Sequence, residues 1–82
     1  NSNLVVTTAM DDASPVTDGK VKVNGQEYTA PVATTPNQVI TLEAESTTDV
    51  FSHWSNGSKD KKIQVIASGM SMAFTAFFKK QG

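Results

Sequence analysis

Lys20-Val21-Lys22-Val23-Asn24-Gly25-Gln26-Glu27-Tyr28-Thr29 is the stretch that decides the fold. Its first four residues alternate lysine with valine, so the two valines share one face of an extended strand and the two lysines the other. Asn24-Gly25 follows at once. A type I′ turn needs positive φ at both central residues, and Asn-Gly meets that need at little steric cost, so Gln26 to Thr29 is expected to return antiparallel. No longer stretch of the chain sustains a helical apolar period, while several short ones alternate at period two. The chain therefore reads as nearly all β.

Upstream, Leu4 to Ala9 is rich in β-branched residues and reads as a first strand ending at Asp11-Asp12. From there through Ser14-Pro15 to Asp18-Gly19 the chain is dense in turn formers, its longest irregular segment. Downstream, Pro31 and Pro36 bracket Val32 to Thr35. Proline cannot donate to a ladder, so this piece is expected at a sheet edge or as an extended connection. Gln38 to Ser46 alternates cleanly, with Ile40, Leu42 and Ala44 inward and Thr41, Glu43 and Glu45 toward water. Val50 to Ser55 carries Phe51 and Trp54; Asn56-Gly57 then supplies a second hairpin-type turn, and Lys61 to Ala67 returns with Ile63 and Val65 on one face. After Ser68-Gly69, Ser71 to Lys80 places Met72, Phe74, Ala76 and Phe78 on one face and Phe77 on the other. About seven short strands at this spacing predict a small antiparallel β-sandwich, Ig-like or related, forming one domain over residues 1–82.

Phe51 and Trp54 break the alternation. Three apart, they would face opposite sides of a regular strand, so either a β-bulge turns one inward or Trp54 caps the core as the strand leaves the sheet. Both arrangements bury the tryptophan. Loss of a core aromatic costs about 3 to 5 kcal/mol, a large share of the stability of a domain this small.

Composition narrows the role. The 82 residues are 38% apolar, carry a net charge of −1 and include no cysteine, so neither a disulfide nor a cysteine-based zinc site can staple the fold. All the basic residues are lysine. Without arginine the chain lacks the planar fork that grips phosphate bidentately, and near-neutral charge provides no field for nucleic acid; neither that partner nor membrane insertion is expected. The chain begins at Asn1 without an apolar leader, as a processed product or a piece of a longer protein would.

Phe51, Trp54-Ser55-Asn56-Gly57 and Thr75-Ala76-Phe77-Phe78 fall in the order strand, aromatic, Trp-Ser-(Asp/Asn)-Gly, strand, Thr-Ala-x-Phe. In this the segment from Val39 to Phe78 resembles the divergent internalin-type B-repeats of bacterial surface proteins. It is also similar to the small β-modules appended to secreted sugar-processing enzymes, whose upstream hairpin and Thr-x-Pro-like stretch match Asn24-Gly25 and Tyr28-Thr29-Ala30-Pro31. The resemblance implies an extracellular or cell-surface β-sandwich, with the periplasm as an alternative, and carries no catalytic residue. Members in tandem arrays repeat the Trp-Ser-x-Gly unit, whereas this chain holds one copy.

Each candidate site residue has a structural and a functional reading. His53 beside Trp54 could serve chemistry if Ser52, Ser55 or Asp49 were arranged around it, but alternation most simply turns it outward to solvent or a local hydrogen bond. Tyr28, Trp54 and Phe77, with His53, are the candidates for a ligand platform; Trp54 is better suited to the core, and Phe77 to an exposed contact. Asp11, Asp12 and Asp18 could offer carboxylates to calcium, yet their spacing fits no EF-hand loop and solvated loops are commonly acidic. Lys59, Lys61 and Lys62 flank a strand in the manner that guards an edge. No catalytic residue, metal site or cofactor is assigned. The expected role is a non-catalytic extracellular module that spaces or displays a larger surface or secreted protein, its partners being neighbouring domains of that parent. The alternatives are a carbohydrate-binding module with polysaccharide as partner, and a virion or surface-layer component assembling through β edges.

Overall fold

A computed structural model describes residues 2–16 and 18–81, the backbone alone at Ser2. The described residues form eight strands, β1 (Ser2–Met10), β2 (Lys20–Val23), β3 (Gln26–Glu27), β4 (Val32–Thr34), β5 (Val39–Glu45), β6 (Asp49–Trp54), β7 (Lys62–Ile66) and β8 (Met72–Lys80). They lie in two four-stranded sheets, ordered β4-β1-β8-β6 and β3-β2-β5-β7. This is the expected all-β sandwich. Inner faces meet through Leu4, Val6, Met10, Phe51, Trp54, Ala76 and Phe78 of the first sheet and Val21, Val23, Ile40, Leu42 and Ala44 of the second. Apart from Phe51 and Trp54, those within a strand are the alternate residues that the period of two assigns to one face. Phe51 sits at the aromatic centre, tilted on Trp54 at 5.5 Å and edge-on to Phe78 at 5.9 Å.

The β2–β3 hairpin forms on Asn24-Gly25, both at positive φ (53° and 85°). Its return strand is shorter than expected: after Glu27 the chain leaves for the other sheet, with Tyr28 N–H donating to Val21 O as the last rung. Asn24 has a second role, exchanging its N–H and side-chain Oδ1 with Thr41 O and N–H, and so tying the hairpin tip to β5. Val32–Thr34 is an edge strand paired only to β1, as the flanking prolines require.

Asn56-Gly57 does not close a hairpin. β6 pairs with β8 and β7 with β5, so the turn carries the chain from one sheet to the other. Only Gly57 of the pair has positive φ (95°), whereas a type I′ turn needs it at both positions. Every connection except β2–β3 changes sheet in this way. The first and last strands depart from antiparallel pairing: β1 and β8 run parallel, matched from Leu4 and Met72 to Met10 and Phe78. Parallel neighbours need a long crossover, and here the rest of the domain supplies it.

Candidate functional site

The conflict between Phe51 and Trp54 is resolved by a bulge. Against β8, Phe51 pairs with Phe78 and His53 with Phe77, leaving Ser52 as the extra residue in β6. One added residue shifts the alternation by one, so Phe51 and Trp54 both point inward although they are three apart. The same shift turns His53 to the outer face of the first sheet. There it lies flat on Phe77, ring centroids 4.6 Å apart and planes within 14°.

This stacked pair is the candidate site. Both rings are half-buried, and Ser52 Oγ lies 2.9 Å from His53 Nδ1, a hydrogen bond whose donor is set by the imidazole tautomer. Beside it on the same face β1 and β8 present Ala9, Thr7 and Thr75, the two threonine hydroxyls hydrogen-bonded at 2.9 Å. Each ring covers one face of the other, so the pair offers a partly exposed aromatic patch with hydroxyls along its side.

The other two candidates lie elsewhere. Trp54 has no exposed surface and belongs to the core, a correction to its place among ligand candidates: its indole N–H donates to Asp60 O at 2.7 Å, so the ring has neither a free face nor a free donor. Tyr28 is half-buried where the chain passes from β3 to β4, at the opposite edge of the sandwich from β6. It borders a hollow of about 220 Å³ with Val23, Gln26 and Val32. Four residues named together thus occupy three places.

The loop carboxylates do not converge. Asp12 accepts from Ser14 N–H at 3.0 Å and from the Ser14 hydroxyl, with Lys80 at 3.9 Å; the Ser14 hydroxyl chiefly holds its carboxyl below the ordinary range. Asp18 reaches across to the turn between β5 and β6. It accepts from Ser46 Oγ (2.5 Å), Thr47 N–H (2.8 Å), Thr48 Oγ1 (2.7 Å) and the Thr47 hydroxyl. These hydroxyls, Ser46 first, hold the Asp18 carboxyl far below its usual value. Among the described residues no three acidic or imidazole side chains gather as a metal cage. Sequence reasoning missed this clip because its partners lie some thirty residues apart, and no local pattern announces it.

Glu43 and Glu45, read as simply solvated, face the lysines of β2 across the sheet. Lys22 Nζ lies 3.0 Å from Glu45, whose hydrogen bond and charge raise the ammonium's pKa. No family model matches this chain, and no curated protein or solved structure matches it.

Proposed function

We infer that this domain is a non-catalytic extracellular module that spaces or displays a larger surface or secreted protein. One observation carries the reading. β1 and β8 run parallel side by side, so the chain enters at one end of the ladder and leaves at the other. Four strands side by side span about 14 Å and the two sheets pack about 10 Å apart, so only the strand direction can supply the 41 Å axis of the domain, and the nine-residue β1 and β8 run along it. A chain threaded from pole to pole adds length to whatever it is inserted in; a domain whose ends meet adds only bulk. The resemblance to internalin-type B-repeats supports the same reading.

Tandem copies of the full chain test it by small-angle scattering. Each added copy is expected to extend the maximum dimension by nearly the 41 Å module length. Copies that fold back on one another, with little gain in length, overturn the spacer.

A carbohydrate-binding module is the second reading, favoured by the His53–Phe77 stack. A partly exposed aromatic patch with neighbouring hydroxyls suits contact with the apolar side of a sugar ring. Competable binding on a glycan array that disappears in Phe77→Ala supports it, and silence of the wild-type chain across the array sinks it.

A further inference from the structure

The first and last strands do more than point in opposite directions: they are each other's hydrogen-bonded neighbours. β1 and β8 sit at the centre of the first sheet and pair over seven consecutive residue couples, from Leu4 and Met72 to Met10 and Phe78. Tension applied to the chain ends draws β1 toward its start and β8 toward its finish, along the strand axes and in opposite senses. The ladder bonds run across the strands, so such a pull loads them in shear and they share the load. Had the two strands been antiparallel, both ends would leave from one pole and the bonds would open one after another.

Contacts at the middle and far end of the ladder reinforce it. Thr7 Oγ1 and Thr75 Oγ1 meet at 2.9 Å in its middle. Asp11 N–H donates to Phe78 O at 2.7 Å just beyond its far end, where the Lys80–Asp12 pair spans the same two strands. On the inner face Leu4, Val6, Met10, Ala76 and Phe78 are buried, so sliding one strand past the other would pull apolar side chains out of register with the core. β8 is also held from its other side, where Ser55 N–H donates to Thr75 O and Thr75 N–H to Ser55 Oγ.

We propose that the β1–β8 ladder is a mechanical clamp and that the domain bears tension along the chain. The proposal rests on the spacer reading, since force reaches the clamp only when the chain continues at both ends. Forced unfolding is governed by the unfolding barrier in the pulling direction, not by equilibrium stability, so the clamp is visible only as a dependence on geometry.

The experiment is single-molecule pulling of the full chain in two geometries. In one, handles are attached at the two chain ends. In the other, one handle stays at the N-terminal end and the second joins Ser71→Cys, an exposed position next to Met72 and unique in a chain without cysteine. Both attachments then lie at one end of the ladder and peel it. At equal loading rate the end-to-end geometry is expected to rupture at roughly twice the peeling force or more. An unchanged denaturation midpoint for S71C shows that the comparison is free of a folding defect. Equal rupture forces overturn the clamp while leaving the spacer standing; tandem copies that fold back in scattering overturn the spacer and remove the clamp's load.

Discussion

The indole N–H of Trp54 donates to the carbonyl of Asp60 at 2.7 Å, joining the centre of the core to the crossover between the sheets. The backbone of Trp54 adds to this, its N–H donating to Ser58 O at 2.7 Å and its carbonyl accepting from Gly57 N–H at 2.9 Å. One residue therefore fills the space between the sheets and shapes the loop that carries the chain from one to the other. Trp54→Phe removes ring volume and leaves the Asp60 carbonyl without its indole donor, for an expected loss of about 2 to 4 kcal/mol. Urea denaturation followed by circular dichroism measures it; a loss under about 1 kcal/mol would mean that the loop holds itself.

Gly19 is set by space. A Cβ at this position would lie 2.8 Å from Cε2 of Phe78 and 3.0 Å from Cγ1 of Val16, and Phe78 is fully buried and cannot swing away. Gly19→Ala is expected to destabilise the domain by about 1 to 3 kcal/mol, as overpacking does. A variant as stable as the parent by thermal melting would show that the loop before β2 can shift.

Asp18 makes stability fall in acid. Its carboxyl is held below the ordinary range by the hydroxyls of Ser46, Thr47 and Thr48, so the clip contributes fully above the unfolded-state pKa, about 3.9. That contribution fades as the pH drops from there toward the folded-state value, because the unfolded chain takes up the proton first. Asp18→Asn is expected to lower the melting temperature at neutral pH and to flatten its decline below about pH 4. An acid limb as steep as that of the parent would assign the decline to other carboxylates.

Thr34 is the buried polar side chain of β4, and among the described residues its Oγ1 has no hydrogen-bond partner. Valine has nearly the same shape without the hydroxyl. Thr34→Val should stabilise the domain by about 1 kcal/mol, since burying an unpaired hydroxyl is costly. Destabilisation in denaturant titration would reveal a partner for the hydroxyl.

The candidate site was legible in part. Phe77 facing away from its neighbours follows from alternation and His53 facing outward from its place next to the buried Trp54, but their stacking does not, because β6 and β8 are separated by the whole of β7. The conflict at Phe51 and Trp54 announced an irregularity, and the bulge at Ser52 is its form. Asn24-Gly25 and Asn56-Gly57 look alike as dipeptides yet act differently. The first is flanked by strands that pair with each other, while the second lies where Trp54 is drawn into the core and Lys62 starts the far edge of the other sheet.

Sequence alone determined which segments are extended, which of their residues face inward and where one hairpin closes, because these depend on an alternation of two and on the φ preferences of Asn-Gly. Only the tertiary structure decided which sheet each strand joins, that Trp54 holds the crossover, that Asp18 clips the turn from Ser46 to Thr48, and that the first and last strands run parallel. The physical reason is that side-chain alternation specifies a face and not a neighbour. Pairing is settled by contacts between distant parts of the chain, where the buried faces of all eight strands must be satisfied together.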